Sequence, residues 1–163
     1  MLTASSLKLI DDEIIKYPPD QKQSAVMSAL RIAQQEKGWL SAATIEFVAE
    51  YLDVAPAKVM EVASFYSMYN LQPVGKYKLN ICTNLPCALQ GAVNTLEYLK
   101  KKLQIKEGET TADGMFTLQI SECMGACGDA PVVIVNNHKM CGFMTISEID
   151  NKIAELIAQA NNE

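Results

Sequence analysis

Residues 76–103, KYKLNICTNLPCALQGAVNTLEYLKKKL, contain the change of pattern that decides the fold. The segment KYKLNIC is short and alternates in polarity, which is typical of a β-strand. After the loop TNLP we predict a helix over residues 87–103, and its terminal lysines suit the negative end of a helix dipole. Apolar residues recur along this helix at helical spacing: Leu89, Val93, Leu96 and Leu99. The stretch therefore predicts a strand, a loop and a helix, with a cysteine at each end of the loop.

The sequence after this unit predicts three further strands and a closing helix. The predicted strands are MFTLQIS, PVVIV and KMCGFM, and the turn NNH joins the last two into a hairpin. The closing helix covers residues 147–160. The resulting order β-α-β-β-β-α is that of a thioredoxin-like α/β domain, which we place at residues 75–163.

The first half of the chain predicts a bundle of four helices over residues 1–74. Pro18 and Pro19 end the first helix. The second covers residues 20–37, with Asp20 as its N-cap and Gly38 as its terminator. Ser41 opens the third helix, and Pro56 opens a fourth that runs through VMEVASFYSMY. This half contains no cysteine and no histidine, so we expect it to serve packing and docking.

Composition excludes several classes of function. The net charge of -5 and the pI near 4.9 argue against binding to nucleic acid, which requires a basic surface. No apolar run reaches the roughly 18 residues of a membrane span, and the acidic N-terminus lacks the features of a signal or transit peptide. We therefore expect a cytoplasmic protein that starts at its mature N-terminus. The five cysteines should then stay reduced, which favours metal binding or redox chemistry over structural disulfides.

Four of the cysteines form two pairs: Cys82 with Cys87, and Cys123 with Cys127. Both pairs follow predicted strands, and the carboxyl ends of neighbouring parallel strands meet at one edge of a sheet. Four thiolates in two short spans suit a [2Fe-2S] cluster, which needs two thiolates per iron. The same spacers also suit a four-cysteine zinc site. A dithiol-disulfide enzyme is disfavoured because no Cys-x-x-Cys pair is present.

The surroundings of the cysteines predict how an anionic cluster would be accommodated. The predicted helix beginning at Pro86-Cys87 would direct its positive end at the sulfur atoms, and Gly125 and Gly128 would allow tight turns. Neither cysteine loop contains a lysine or an arginine, whereas Glu122 and Asp129 lie beside the second pair. From this negative charge we expect a low, strongly reducing midpoint potential.

Two motifs, CTNLPCALQGA and ECMGACGDAPVV, resemble the E subunit of NADH:quinone oxidoreductase, the thioredoxin-like [2Fe-2S] subunit of complex I. The resemblance continues into the first half, where VASFYSMY is similar to the end of that family's helical domain. Related subunits serve NAD-reducing hydrogenases and formate dehydrogenases. The resemblance, and not the spacing of the cysteines, favours iron-sulfur over zinc.

The resemblance implies that Cys82 and Cys87 hold one iron, and that Cys123 and Cys127 hold the other. It implies an electron-transfer subunit without catalytic residues, inactive alone and peripheral to the inner membrane. FMN and the site of NADH oxidation would lie on a partner (F-type) subunit, with a multi-cluster iron-sulfur (G-type) subunit adjacent. The alternatives are the diaphorase part of an NAD-dependent hydrogenase or formate dehydrogenase, or a zinc-stapled interaction module.

Several other residues have simpler interpretations than a functional one. Cys141, near a predicted hairpin strand, is expected to be a half-buried apolar residue outside the site. His138 follows two asparagines in a predicted turn and should be exposed. Phe65, Tyr66 and Tyr69 could form a docking stripe, but we expect them to pack in the core.

Overall fold

The computed structural model describes residues 1–162 and divides the chain into two compact units. The first unit is Met1–Pro73, and the second begins at Val74. Each unit has a hydrophobic core of its own.

The first unit is helical. Its four α-helices are α1 (Ala4–Ile14), α2 (Val26–Lys37), α3 (Ala42–Leu52) and α4 (Pro56–Phe65). Local signals set several of the ends, as predicted. The Ser41 side chain accepts a hydrogen bond from the Thr44 amide at the start of α3, Gly38 ends α2 with φ 79°, and Pro56 opens α4.

Two predictions for this unit were wrong. Asp20 does not cap α2, because a 3-10 helix (Lys22–Ala25) lies between the two. The N-cap of that 3-10 helix is Gln21. The fourth helix does not run through residue 69, because it ends at Phe65 where Tyr66 adopts an extended conformation.

The three aromatic residues that follow or end α4 differ in burial. Tyr69 packs in the core, as predicted, and its hydroxyl donates a hydrogen bond to the Met27 carbonyl at 2.9 Å. Phe65 is 79% exposed and Tyr66 is 40% exposed, so the prediction of core packing was wrong for both. The rings of Phe65 and Tyr66 contact each other edge to face with centroids 5.0 Å apart.

Burial raises the pKa of Tyr69 to about 12, and this makes a testable prediction for the first unit. Because the neutral phenol is favoured in the folded state, its contribution to stability is complete below pH 10 and is lost as the pH rises towards 12. Urea unfolding followed by the fluorescence of Trp39 should show this loss in the wild-type chain. Tyr69→Phe should be less stable by about 1 kcal/mol at pH 8, for want of the hydrogen bond. The difference between the two chains should shrink above pH 10; a constant difference would contradict the assignment.

As far as residue 162, the second unit combines four strands and three α-helices. Its strands are β1 (Tyr77–Cys82), β2 (Phe116–Ser121), β3 (Val133–Val135) and β4 (Lys139–Cys141). Its helices are α5 (Leu85–Leu89), α6 (Ala92–Leu103) and α7 (Ile146–Asn161). The predicted order of strands and helices is confirmed, except that one predicted helix is divided in two.

The four strands form a mixed sheet in the order β2-β1-β3-β4. β1 and β2 are parallel neighbours, and their register pairs Cys82 with Ser121. β3 lies antiparallel to β1 and forms the predicted hairpin with β4. Asn136 and Asn137 both have positive φ in the hairpin turn, a conformation that asparagine tolerates well. The parallel pair is the feature that brings the two cysteine loops to one edge of the sheet.

The helix predicted over residues 87–103 is broken at Gln90–Gly91. Gly91 has φ 91°, which an α-helix does not permit, and α6 starts after it. Leu89 and Val93, which suggested one continuous apolar face, are 77% and 46% exposed. The strand predicted over residues 139–144 is also shorter, since Phe143 has φ 55° and leaves the sheet.

One face of the sheet packs against α6 and α7. Leu79, Leu118, Leu99 and Ile149 are fully buried in this core. Thr145 accepts a hydrogen bond from the Glu148 amide and caps α7. Among residues 1–162, no helix has the length and apolar character needed to cross a membrane.

Candidate metal centre

The first cysteine loop connects the end of β1 to α5. Cys82 is the last residue of β1, and its amide donates a hydrogen bond to the Val132 carbonyl at 3.1 Å. Cys87 lies within α5, which Pro86 helps to start. Both cysteines are only 2% exposed and pack with Ala92 and Val132 in a small apolar cluster. The first pair of thiols is therefore held in a dry environment by the edge of the sheet.

The second cysteine loop follows β2. Cys123 lies two residues beyond Ser121, the residue that pairs with Cys82. Gly125 turns the loop back with φ 76°, whereas Gly128 does not adopt a positive φ, so only one of the two predicted glycine turns has that conformation. Cys127 begins a short 3-10 turn (Cys127–Asp129). Both thiols of the second pair are exposed.

Two backbone hydrogen bonds hold the second loop against the segment that follows β4. The Phe143 amide donates to the Asp129 carbonyl at 2.6 Å, and the Met144 amide donates to the Pro131 carbonyl at 2.9 Å. The position of Cys127 therefore depends on residues that lie far beyond it in the sequence.

The four thiols of the two loops interact. The sulfur atoms of Cys123 and Cys127 are 3.9 Å apart. Cys82 and Cys87 pack in one apolar cluster, the charges of Cys82 and Cys127 act on Cys87, and the charge of Cys82 acts on Cys127. Cys141 is half-buried, as predicted, packs against the core of the sheet, and directs its thiol to the Lys139 carbonyl. His138 is exposed, also as predicted.

Crowding of the thiols disfavours their charged forms. Burial raises the pKa of Cys87, and hydrogen bonding to Cys82 raises it further, whereas the Val132 amide opposes the shift by donating to the sulfur. Hydrogen bonding to Cys123, together with its charge, raises the pKa of Cys127. Thiolates are the form that binds metals, and a cation between them would offset both the burial and the repulsion that disfavour the charged sulfur atoms.

The separation of the second pair of thiols fits two ligands of one metal ion. Among residues 1–162, no three His, Cys, Asp or Glu side chains gather about one point so as to hold a single ion. A [2Fe-2S] cluster requires two thiolates at each of its two irons. Two sulfur ligands of one tetrahedral metal, with bonds of about 2.3 Å, are about 3.8 Å apart. The 3.9 Å separation of Cys123 and Cys127 matches that value.

The charge around the thiols is negative. Residues 82–91 and 121–131 contain Glu122 and Asp129 but no lysine or arginine. Asn84 donates a hydrogen bond from Nδ2 to Oε2 of Glu122 at 3.4 Å, which joins the first loop to the second. This contact, the role of Val132 and the anchoring of Asp129 were not predicted from the sequence. Asparagine is a residue type that favours helix N-caps, so the sequence could have indicated the position of Asn84 at the start of a helix but not its contact with the second loop.

A comparison with known protein families matches nearly the whole chain to one family. A family model described as thioredoxin-like [2Fe-2S] ferredoxin matches residues 10–157. The matched region includes both cysteine loops.

The relatives that are similar in sequence include subunits of NADH-quinone oxidoreductases. The E subunit of NADH-quinone oxidoreductase from Rickettsia prowazekii is 43% identical over 159 residues, covering 97% of this chain and 87% of the relative. NADH-quinone oxidoreductase subunit 2 of Thermus thermophilus is 41% identical over 149 residues, covering 91% and 82%. Among solved structures, an NAD+-reducing [NiFe]-hydrogenase in the H2-reduced state has a chain similar to 80% of this one, with a TM-score of 0.68 and 22% identity. The match spans about a fifth of that chain, 22% of its length, and shows a shared fold.

Proposed function

Because the chain belongs to the thioredoxin-like [2Fe-2S] ferredoxin family, we propose that it carries single electrons by means of one [2Fe-2S] cluster. The proposed ligands are the paired cysteines of the two loops: Cys82, Cys87, Cys123 and Cys127. The observation that carries this proposal is that the parallel register brings the two loops to one edge of the sheet, where Met124 and Ala126 of the second loop pack against the cluster that contains Cys82 and Cys87.

The residues of the chain have separate roles in this proposal. Cys82 and Cys87 would hold one iron on the buried side, where Val132 and its apolar neighbours exclude water. Cys123 and Cys127 would hold the other iron on the exposed side, where a redox partner can approach. When bound, the cluster would supply reversible one-electron chemistry. No side chain of this chain then needs to act as an acid, a base or a nucleophile.

We propose that the host is an NADH:quinone oxidoreductase, in which this chain is the E subunit. The names of the relatives support an oxidoreductase complex of several subunits. In that setting, an FMN-bearing F-type subunit would oxidise NADH and a multi-cluster G-type subunit would lie adjacent. The assembly would be cytoplasmic and peripheral to the inner membrane, and the isolated chain would not react with NADH. The diaphorase part of a hydrogenase or formate dehydrogenase is the alternative host, and mass identification of co-purifying proteins decides between them.

Analysis of the purified chain tests the proposed cofactor. We expect a red-brown protein with about two irons and two acid-labile sulfides per chain, and a rhombic electron paramagnetic resonance signal after reduction with dithionite. The separation of Cys123 and Cys127 also suits two ligands of one zinc ion. A colourless chain that contains stoichiometric zinc and no sulfide would refute the electron carrier and favour a zinc-stapled interaction module.

A further inference from the structure

Asn84 and Glu122 lie within two residues of the paired ends of β1 and β2, at the edge of the sheet where the two cysteine loops emerge. Asn84 lies two residues beyond Cys82, and Glu122 directly follows Ser121, the residue that pairs with Cys82. The parallel register therefore places both side chains at the mouth of the proposed site. The Asn84 amide donates to the Glu122 carboxylate at 3.4 Å and so links the two loops by their side chains.

Asn84 makes this link instead of the capping hydrogen bond that an asparagine at the start of a helix commonly accepts. It is the N-cap residue of α5, with φ -65° and ψ 162°, and asparagine is among the residues preferred there. Its side chain nevertheless makes no capping hydrogen bond. The side-chain amide of Asn84 donates to the second loop instead, so helix capping does not account for an asparagine at this position.

Glu122 adds a negative charge next to a ligand of the proposed cluster. It directly precedes Cys123, and neither loop contains a basic residue to offset its charge. Reduction adds negative charge to a centre that is already anionic, so a nearby carboxylate opposes it. The Asn84 amide restricts where that carboxylate can lie relative to the second pair of thiols.

We propose that Asn84 and Glu122 are positioning residues for the cluster. Asn84 fastens the second loop to the first and so slows the loss of iron, and the charge of Glu122 lowers the midpoint potential. This inference rests on the proposed function, because it requires a bound cluster. It goes beyond that function by assigning the retention of the cluster and the setting of its potential to residues that are not ligands.

Two measurements on the cluster-loaded chain test the proposal: the rate at which an iron chelator removes iron, and the midpoint potential by dye-mediated titration. Asn84→Ala and Glu122→Ala should each speed the release of iron by about three- to fivefold, as expected for one lost hydrogen bond. Because both remove the same contact, the double variant should release iron no faster than either single variant. Glu122→Gln keeps an acceptor for Asn84, so its release rate should stay near that of the wild type while its midpoint potential rises.

Asp129→Asn is the matched control, because it removes a carboxylate beside the same loop but keeps both the Asn84–Glu122 contact and the Asp129 backbone carbonyl that accepts from Phe143. Its release rate should equal that of the wild type. Release at the wild-type rate in Asn84→Ala, or additive effects in the double variant, would overturn the role of the contact. An unchanged midpoint potential in Glu122→Gln would overturn the role of the charge. A wild-type chain without iron or sulfide would refute the proposed function itself, which separates that failure from failure of this inference.

Discussion

Replacing Cys127 with serine should abolish stable binding of the cluster. The sulfur atoms of Cys127 and Cys123 are 3.9 Å apart, and Cys127 interacts electrostatically with both cysteines of the first pair, so it lies where the two pairs meet. A serine hydroxyl ionises far less readily than a thiol and is a poorer ligand for iron. We expect the purified variant to lose most of its iron and sulfide and its visible absorption, while its far-ultraviolet circular dichroism stays close to that of the wild type.

Cys141→Ser provides the matched control for this experiment. Cys141 is the fifth cysteine, half-buried with its thiol directed to the Lys139 carbonyl, and it is not among the proposed ligands. Its substitution should leave iron, sulfide and the visible spectrum at wild-type levels. Full cluster content in Cys127→Ser, or equal losses in the two variants, would contradict the proposed ligand set.

A second large effect is expected from Gly142→Ala, although this residue lies 15 positions beyond Cys127 in the sequence. A Cβ at position 142 would lie 2.7 Å from the Cβ of Asp129 and 3.0 Å from its carbonyl oxygen. That carbonyl accepts the 2.6 Å hydrogen bond from Phe143, so the contact cannot be relieved by rotation of a side chain alone. The turn Cys127–Asp129 must move, at a cost of about 1–3 kcal/mol for an overpacked contact. We expect faster loss of the cluster to a chelator, by about tenfold or more.

Gly128→Ala is the control, and we expect it to have the smaller effect although Gly128 is much nearer to Cys127 in the sequence. Gly128 directly follows Cys127, but its added Cβ would have no atom within 4 Å, and its φ is not positive. Its rate of cluster loss should be within about twofold of the wild-type rate. If Gly128→Ala were the more damaging of the two substitutions, the described anchoring of the second loop by Asp129 and Phe143 would be wrong.

Features that depend on a few neighbouring residues could be predicted from the sequence. Ser41 caps α3 and Pro56 opens α4, because the preferences of these residues act within one helical turn. Gly38 ends α2 for the same kind of reason. The approach of the cysteine loops was also predictable, since a strand, a crossover helix and a second strand favour a parallel pair with both loops at one edge.

Features that depend on the tertiary structure could not be predicted in this way. Leu89 and Val93 have helical spacing, which conceals the break at Gly91 between them. Phe65 and Tyr66 resemble core residues by type, but the end of α4 leaves them exposed. The contacts of Asn84 with Glu122, and of Gly142 with Asp129, join residues 38 and 13 positions apart, and no local pattern indicates such pairs.

Anomalous diffraction at the iron absorption edge, from crystals of the purified chain, tests the proposed cluster and its ligands most directly. We expect two iron peaks, one within bonding distance of the sulfur atoms of Cys82 and Cys87 and the other within bonding distance of those of Cys123 and Cys127. A single peak shared by all four sulfur atoms, or a signal that appears only at the zinc edge, would contradict the binuclear iron centre.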